Sequence, residues 1–388
     1  MKHNWNHIKF GDAFNLQMGK TPARANGAYW SDGLYDWVSI SDMPNGKYIR
    51  GTKEKISQKA VDETGIHLVK KGTALMSFKL TIGKTAIAPY DLYTNEAIMA
   101  FEPKEGIKVL PDFLYYYLQL YKWDGNRAVM GNTTNKGVIA NSYAYIPSLD
   151  EQQAIVRELD GINRLIDLQE EQLHEYDRLA QSLFYTTFGD PVSNPKGWEV
   201  KKLGEVATVK IGPFGSLLHT SDYIKGGVPL VNPIHMKNGF IVADVNFTIS
   251  EPKAEELRSY RMSSGDFIFA RRGDIGRCAI VTEKEDGFLC GTGSLFVRFD
   301  GSVVPIYALF WTKCESFVKE LTSKAKGATM LNINCGIVEN LLLPLPPLAL
   351  QQSFAAQIEA IEQQKALIRR SLEDTRTLLA ARMQYYFE

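Results

Sequence analysis

Two short stretches of this 388-residue chain are nearly alike: "IPSLDEQQAIV" (Ile146–Val156) and "LPPLALQQSFAAQI" (Leu345–Ile358). The glutamine pair Gln152–Gln153 of the first recurs as Gln351–Gln352 in the second, 199 positions later. In each stretch a proline ends a strand-like segment, and a helical pattern of apolar residues begins at the glutamine pair. Such recurrence indicates an internal repeat, which determines how the whole chain is divided.

The repeat extends upstream of these two stretches. A shift of 193 positions aligns "WNHIKFGDAFNLQMGKTP" (Trp5–Pro22) with "WEVKKLGEVATVKIGPFG" (Trp198–Gly215). The same shift aligns "KKGTALMSFKLTIGKTAIA" (70–88) with "SSGDFIFARRGDIGRCAIV" (263–281). The sequence therefore predicts two copies of one unit, each a globular part followed by a helix. We expect the globular parts at 1–149 and 191–348, and the helices at 150–190 and 349–388.

The two predicted helices carry apolar residues at the 4-3 spacing of a heptad seam. Polar residues interrupt the seams at Gln169 and Lys365, which are not equivalent positions in the repeat, so we expect them to influence register. Each helix could pack on its own globular part, but two long seams in one chain favour pairing with each other, antiparallel. The predicted seam residues are Ile155, Leu159, Ile162, Ile166 and Leu173, then Ile358, Ile361, Ile368, Leu372 and Leu379.

The globular parts have short, β-branched and apolar segments bounded by turn signals such as Asn45-Gly46 and Asn238-Gly239. One helix is predicted in each, at "PDFLYYYLQL" (Pro111–Leu120) and at "PIYALFWTKC" (Pro305–Cys314). The expected fold class is α+β. Two repeated α/β domains with twisted sheets are joined by two long helices that form an antiparallel coiled coil.

The formal net charge of zero conceals a segregation along the chain. The net charge is +5 over residues 1–149, −7 over 150–190, +2 over 191–348 and 0 over 349–388. Phosphate contacts would belong to the two basic regions, although ordinary variation of a solvated surface gives the same pattern. The four cysteines form no CxxC pair and no apolar run reaches membrane-spanning length, so we expect a cytoplasmic protein with reduced thiols.

Familiar catalytic motifs are incomplete. "DGFLCGTGSLF" (Asp286–Phe296) is similar to a methyltransferase glycine-rich turn, but no D/N-P-P-aromatic motif follows it, and the repeat predicts strand–turn–strand there. Asp91, Glu102 and Lys104 have the loose spacing of a Mg²⁺-dependent nuclease site, but the second copy has no equivalent, which favours strand-edge charges. HExxH and Walker A motifs do not occur. We therefore expect no catalytic residue, cofactor or metal in this chain.

Polar loops, in contrast, recur in both copies. "QMGKTPAR" corresponds to "KIGPFGSLLHTSDY", "KLTIGK" to "RRGDIGR", and "GNTTNKG" to "KAKGATMLNIN". Arginine forks suit guanine edges and phosphates, and Asn, Thr and Lys can also contact bases and phosphates, although turn chemistry alone would explain any single loop. The candidate DNA contacts are Lys20, Thr21, Arg24, Lys79, Thr81, Lys84, Asn132, Thr133, Asn135, Lys136, Ser216, Arg271, Arg272, Arg277, Lys324, Lys326, Thr329 and Asn332.

The order of variable globular part, "I/L-P-x-L-x-x-Q-Q" and long helix resembles the specificity subunits of Type I restriction–modification systems. "GKTPARANGAYW…YDWVSISDM", "TIGKTAIA" and "GPFGSLL…SDY" resemble the target recognition domains of that family. The resemblance covers essentially the whole chain. The family junction reads L-P-x-L-x-E-Q, and this chain keeps Glu151 in the first copy but has Leu350 in the second.

This resemblance implies a non-catalytic DNA-recognition subunit. Each globular domain would read one half of a bipartite asymmetric target, and the helix pair would set the spacer and dock two methyltransferase subunits. Those partners would bind S-adenosylmethionine, and restriction subunits would use ATP. The alternatives are a methyltransferase or nuclease that acts alone, and a coiled-coil scaffold without sequence specificity.

Overall fold

The computed structural model describes residues 5–44, 46–79, 81–123, 126–128, 131–213, 215–272, 276–324 and 332–388, without the side chains of 126–128, 131–133 and 216. The chain forms two compact units. The first contains Met1–Glu170 and Arg370–Glu388, and the second contains Glu171–Arg369. Each long helix therefore contributes one part to each unit.

The first unit is built from short strands and helices. Its strands are β1 (Asn6–Lys9), β2 (Phe14–Met18), β3 (Tyr35–Val38), β4 (Glu54–Ile56), β5 (Ala74–Ser77), β6 (Thr85–Ile87), β7 (Tyr93–Thr94), β8 (Ile98–Pro103), β9 (Asn126–Ala128), β10 (Gly131–Thr133) and β11 (Tyr143–Ile146). Its helices are α1 (Phe10–Ala13), α2 (Gln58–Thr64), α3 (Pro111–Leu120), α4 (Lys136–Asn141) and the start of α5 (Leu149–Phe188), with 3₁₀ turns at Gly27–Tyr29 and Ile40–Asp42.

A four-stranded antiparallel sheet of order β2-β8-β5-β6 forms the centre of the first unit. Its central strands are buried on both faces, since every residue of β5 is buried, as expected for near-continuous apolar runs. Phe14, Phe101 and Phe113 pack on one face together with Ile155 and Leu159 of α5. The side sheet β4-β3-β7 contains one parallel pair, β3 with β7.

The second unit has the corresponding elements. Its strands are β12 (Val200–Lys202), β13 (Ala207–Ile211), β14 (Tyr223–Ile224), β15 (Val228–Val231), β16 (Met236–Lys237), β17 (Phe240–Ile241), β18 (Thr248–Ile249), β19 (Phe267–Ala270), β20 (Cys278–Ile280), β21 (Leu289–Cys290), β22 (Ser294–Phe299) and β23 (Leu342–Pro344). Its helices are α6 (Leu203–Val206), α7 (Glu251–Glu256), α8 (Pro305–Lys313), α9 (Glu315–Lys324), α10 (Cys335–Glu339) and the start of α11 (Leu348–Phe387), with 3₁₀ turns at Gly215–Leu217, Thr220–Asp222, Pro233–His235, Arg258–Tyr260 and Glu283–Glu285.

The central sheet of the second unit has the order β13-β22-β19-β20, which is the order of the first unit with each strand replaced by its repeat partner. The parallel pair recurs as β15 with β21. Helices α3 and α8 begin at the prolines of the two segments predicted to be helical, Pro111 and Pro305, where the missing N–H is tolerated. The region quoted as "DGFLCGTGSLF" forms β21, a turn and β22, the predicted strand–turn–strand.

Helices α5 and α11 are each 40 residues long, or about 60 Å at the standard rise. In the first unit they run antiparallel, because Gln169 of α5 donates to the hydroxyl of Ser371 at 2.8 Å while the earlier residue Glu158 pairs with the later residue Arg382. In the second unit they are again antiparallel. There Asp177 of α5 pairs with Lys365 of α11 at 2.7 Å, while the later residue Phe184 packs on the earlier residue Phe354 with ring centroids 5.7 Å apart.

The predicted seam residues face inward to different degrees. Ile155, Leu159, Ile358, Ile361 and Leu372 are buried, and Ile162, Ile166, Leu173, Ile368 and Leu379 are half-buried. The two polar seam residues are buried as well, Gln169 with 9% of its surface exposed and Lys365 with 6%. The predicted α+β fold, with repeated domains and two long antiparallel helices, is confirmed.

The first joint between globular part and helix is held by one buried glutamine. Gln152 is fully buried, and its amide oxygen accepts a hydrogen bond from the N–H of Leu110 at 2.8 Å. Its amide nitrogen donates to the carbonyl oxygens of Lys108 and Pro147 at 3.0 and 2.9 Å. The side chain thus ties the segment before α3 to the segment before α5.

The second joint repeats this pattern bond for bond. Gln351 is fully buried, and its amide oxygen accepts from the N–H of Val304 at 2.9 Å. Its amide nitrogen donates to the carbonyls of Ser302 and Pro346 at 3.1 and 2.8 Å. We name this three-bond arrangement the glutamine clamp.

The residue before each clamp differs between the copies. Glu151 accepts a hydrogen bond from the indole N–H of Trp5 at 2.8 Å. In the second copy Leu350 packs on the apolar core, and the indole of Trp198 donates instead to the carbonyl of Phe188 at 2.9 Å. The divergence from glutamate to leucine therefore accompanies a change of tryptophan partner.

Candidate nucleic-acid interface

Three loops of the first unit meet at one end of its central sheet. The N–H of Gly19, just after β2, donates to the carbonyl of Ile98 at 3.2 Å, and the N–H of Phe78, just after β5, donates to Ala97 at 3.0 Å. The N–H of Thr134 then donates to the carbonyl of Phe78 at 3.1 Å. The three loops selected from the sequence are therefore neighbours in this unit.

The second unit brings its three loops together in the same way. The N–H of Gly212 donates to Ser294 at 3.1 Å, and that of Arg271 donates to Gly293 at 3.0 Å. The N–H of Ile333 donates to the carbonyl of Arg271 at 2.9 Å. We name these two regions the first and second loop ends.

A glycine allows the first loop to cross each sheet closely. A Cβ atom at Gly19 would lie 2.1 Å from the carbonyl oxygen of Thr94, and one at Gly212 would lie 2.0 Å from that of Gly291. Both distances are far inside van der Waals contact, so neither position accepts a side chain without moving backbone.

Arg24 of the first loop has two side-chain partners. Its guanidinium forms a forked ion pair with Glu54 and lies 3.9 Å from the ring centroid of Trp30. The hydrogen bond from Arg24 lowers the pKa of Glu54, and the same bond raises the pKa of Arg24. Glu54 was not predicted as a site residue, because a partner 30 positions away leaves no local pattern in the sequence. Trp30, six positions after Arg24, was not predicted either.

Lys20 and Thr21 also have partners within the first unit. The Lys20 ammonium donates to the carbonyl of Thr64, and the Thr21 hydroxyl donates to the carboxylate of Glu96. Lys20 is exposed and Thr21 is half-buried, so both lie at the surface of the first loop end.

The turn between β5 and β6 presents two lysines. The Lys79 ammonium lies 5.6 Å from the ring centroid of Phe78, and Lys84 is half-buried beside the hydroxyl of Ser77, which accepts from its N–H at 3.2 Å. Thr81 is exposed between them. Among the described residues no carboxylate pairs with either lysine, which leaves positive charge at this turn.

Asn135 acts as a helix cap. Its side-chain oxygen accepts from the N–H of Val138 at 3.0 Å, at the start of α4, and Lys136 is exposed next to it. In the second unit Asn334 caps α10 in the same way, accepting from Ile337 at 2.9 Å. Asn135 and Asn334 therefore have a structural role as helix caps.

Five predicted contacts have side chains outside the described part of the chain. Only the backbone is described at Asn132 and Thr133, which lie in β10, and at Ser216, which lies in a 3₁₀ turn. Lys326 and Thr329 lie outside the described residues altogether.

Adjacent arginines at the second loop end have opposite environments. Arg271 is 7% exposed, and one of its terminal nitrogens lies 3.4 Å from the side-chain oxygen of Asn332. Burial lowers the pKa of Arg271, and the positive charge of Arg272 lowers it further. Arg272 is exposed, and its backbone forms a bridge with that of Asn332.

The remaining two predicted contacts of the second unit are engaged in local interactions. Arg277 donates to the carbonyl of Pro233 at 3.2 Å. Lys324 pairs with Glu320, one helical turn earlier in α9. Arg277 is half-buried and Lys324 is exposed.

The nuclease-like residues of the first unit have structural partners. Asp91 accepts from the N–H of Lys71 at 2.8 Å, Glu102 lies 3.8 Å from the ammonium of Lys70, and Lys104 donates to a backbone carbonyl at 2.7 Å. These contacts agree with the interpretation of the three residues as charges at strand edges. Within the described ranges, no three His, Cys, Asp or Glu side chains converge as metal ligands would.

None of the helices that the structure describes has the combination of length and hydropathy needed to cross a bilayer.

Two copies of one fold, each ending in a gathered set of polar loops and attached to a long helix, define a bipartite recognition protein. The model of the Type I restriction modification DNA specificity domain matches the chain twice, at residues 2–176 and 195–374. The chain therefore belongs to the Type I restriction–modification DNA specificity family.

Individual relatives are similar over almost the whole length. The chain is 25% identical to the Type I restriction enzyme MjaIX specificity subunit of Methanocaldococcus jannaschii over 382 residues, covering 92% of this chain and 87% of that protein. It is 22% identical to the MjaVIII specificity subunit of the same organism, covering 92% and 86%.

Solved structures show the same fold. One comes from work on complex assembly and conformational transition of the type I R-M system, with a TM-score of 0.66, 18% identity, and 99% and 97% of the two chains covered. The Type I S subunit from M. genitalium gives a TM-score of 0.51 at 12% identity, covering 100% and 97%. The predicted family and the prediction of a DNA-specificity subunit are confirmed, and the comparisons do not support the alternatives of a self-contained enzyme or an unspecific scaffold.

Proposed function

We propose that each unit reads one half of a bipartite, asymmetric DNA target through its loop end. The observation that carries this proposal is that the same three backbone hydrogen bonds gather the same three loops in both units, while the side chains on those loops differ. A shared frame with different polar side chains is what two readers of two different sequences require.

The eighteen residues predicted from the sequence remain our proposed DNA contacts, and their environments suggest different roles. Exposed cations such as Lys136 and Arg272 are accessible to bases or phosphates. Arg24 and Arg271 are held by protein groups, so we assign them to positioning of the loops on the duplex.

We further assign residues 1–149 and 191–348 to the two target recognition domains, and 150–190 and 349–388 to the two spacer helices. The helices would set the separation of the half-targets and dock two methyltransferase subunits that bind S-adenosylmethionine. Restriction subunits that use ATP would complete the assembly. A cytoplasmic location agrees with the four free cysteines.

The test is sequencing of methylated adenines in cells that carry the complete system with single substitutions. We expect Arg272→Ala to relax or weaken recognition of one half-target by about 1–3 kcal/mol, and Lys136→Ala to affect only the other half. Arg258→Ala is the matched control, because Arg258 is also exposed but pairs with Glu255 and belongs to none of the three gathered loops.

Binding of the purified complexes to duplexes with one half-target scrambled gives the same comparison quantitatively. The Arg272→Ala complex should bind more weakly than wild type only to duplexes that keep the half-target read by the second unit. Where that half-target is scrambled, variant and wild type should bind alike. If Arg272→Ala weakened recognition of both half-targets, or if Arg258→Ala weakened binding as much as Arg272→Ala, the loop ends would not be the surfaces that read DNA.

A further inference from the structure

The second unit contains a cavity of about 560 Å³ between α8, the end of β20 and the paired helices. Its walls are largely apolar and include Ile280, Leu309, Phe310 and Ile358. This volume lies in the range of cavities that bind small molecules.

Three cations and two carboxylates line the cavity beside these apolar walls. Lys365, 6% exposed, lies 2.7 Å from Asp177 and also contacts Glu362 at 2.5 Å. Arg369 lies 3.6 Å from Glu362. Both carboxylates are thus already engaged by cations of the helix pair.

Lys313 is the third cation and has no such partner. Within the described part of the chain no carboxylate pairs with its ammonium and no acceptor takes a hydrogen bond from it, and the ammonium lies 5.2 Å from the ring centroid of Phe310. Lys313 is exposed at the edge of the cavity. Partial desolvation by the surrounding protein lowers the pKa of Lys313, and Lys365 lowers it too, while Cys278 and the carboxylates of Asp177 and Glu362 act in the opposite direction. Lys313 therefore supplies a cation at the cavity that no described side chain pairs with directly.

A lysine side chain lies at the corresponding place in the first unit. There the N–H of Ile87 donates to the carbonyl of Lys47 at 2.8 Å, and in the second unit the N–H of Ile280 donates to that of Gly239 at 3.1 Å. The ammonium of Lys47 is 14% exposed and pairs with Asp112 of α3 and with a carboxylate of α5. At Gly239 the protein has no side chain, and a Cβ atom there would lie 2.9 Å from Cδ2 of Leu309, so Leu309 packs directly on this glycine.

The cavity is distinct from the second loop end. Strand β20 begins at Cys278, which pairs with Phe269 near the loops, and it ends at Ile280, which lines the cavity. A ligand in the cavity would therefore contact the opposite end of the strand from the proposed DNA surface.

We propose that this cavity binds a small amphipathic anion, with its apolar body against Leu309, Phe310 and Ile358 and its anionic group accepting hydrogen bonds from Lys313. Such a ligand removes apolar surface from water and supplies a counter-charge in direct contact with Lys313. A charged pair in a partly enclosed site is stronger than one on an open surface.

Fluorescence titration of the full-length chain with 8-anilinonaphthalene-1-sulfonate tests the proposal, because this probe has an apolar body and one anionic group. We expect Lys313→Met to weaken its binding about tenfold, equivalent to about 1.4 kcal/mol. N-phenyl-1-naphthylamine, the uncharged analogue, should bind the wild-type chain and Lys313→Met alike.

Lys319→Met is the matched control, because Lys319 of α9 is exposed and paired with Glu315 outside the cavity. Ile306→Trp, which places an indole in the cavity, should weaken both probes, and near-ultraviolet circular dichroism checks that each variant is folded. Unchanged sulfonate binding in Lys313→Met, or unchanged binding of both probes in Ile306→Trp, would overturn the proposal.

Discussion

The glutamine clamp at the first joint gives a quantitative test of how the globular part is attached to its helix. Gln152→Met keeps the length and most of the volume of the side chain but removes all three hydrogen bonds. The N–H of Leu110 and the carbonyls of Lys108 and Pro147 then lose their partner. At about 1 kcal/mol for each hydrogen bond, the expected destabilisation is about 3 kcal/mol, and more where the group stays buried.

The assay is hydrogen exchange measured by mass spectrometry on the full-length chain under native conditions. Peptides that cover α3 and the start of α5 should lose about 3 kcal/mol of protection in Gln152→Met. Gln153→Met is the control, because the neighbouring Gln153 is exposed and should change protection by less than about 0.5 kcal/mol.

The repeat supplies an independent replicate of this experiment. Gln351→Met should reduce protection at α8 in the second unit, and the exposed neighbour Gln352 supplies the control Gln352→Met. If Gln152→Met and Gln351→Met behave like their controls, the clamp does not hold the joints and the reasoning fails.

Three further predictions concern charged and polar groups. Gln169→Leu removes a buried amide oxygen that has no partner among the described atoms, but it also removes the hydrogen bond to the exposed hydroxyl of Ser371, so the net gain in stability of the first unit should be at most about 1 kcal/mol; a fall in melting temperature would contradict this. Hydrogen bonds from Arg382 lower the pKa of Glu158, so the stability they add is present at neutral pH and is lost as the pH falls below the ordinary carboxylate range. Arg382→Met should therefore make the melting temperature depend less on pH between about pH 5 and 3. Arg298→Met should cost the second unit about 3 kcal/mol in urea unfolding, because Asp266 is 2% exposed and would be buried without its cation.

The repeat made much of the fold predictable. Matching prolines and glutamine pairs located both joints, and the 4-3 spacing predicted both long helices before any contact was known. Helix α3 coincides with the predicted segment Pro111–Leu120, because an apolar run after proline has few alternatives. What the sequence could not indicate was that only one glutamine of each pair is buried, since that depends on which side of the helix meets the globular part.

The candidate site was predictable as a set of loops but not residue by residue. The hydrogen bonds that gather the loops are made by backbone atoms, so no side chain marks them in the sequence. Asn135 and Arg271 looked equally suited to DNA, yet Asn135 caps a helix and Arg271 is buried beside Asn332. Burial and capping depend on contacts distant in sequence, which a single sequence does not contain.

The cavity of the second unit also lay beyond sequence reasoning. The Asn238-Gly239 pair was selected only as a turn signal, and nothing local distinguishes it from Asn45-Gly46. The difference appears when the carbonyls of Lys47 and Gly239 are seen to accept equivalent hydrogen bonds. Lys47 pairs there with carboxylates of α3 and α5, whereas Gly239 packs directly on Leu309 beside the cavity.

The hydrogen bonds of the glutamine clamp go only to main-chain N–H and carbonyl groups. These bonds require a particular path of the backbone around Lys108 and Leu110. They do not require particular side chains at those two positions. A reading domain acquired by recombination would fit the helix if its backbone offered the same donor and acceptors. New DNA specificities could then arise by exchange of whole cassettes, with no compensating mutation in the helix that receives them.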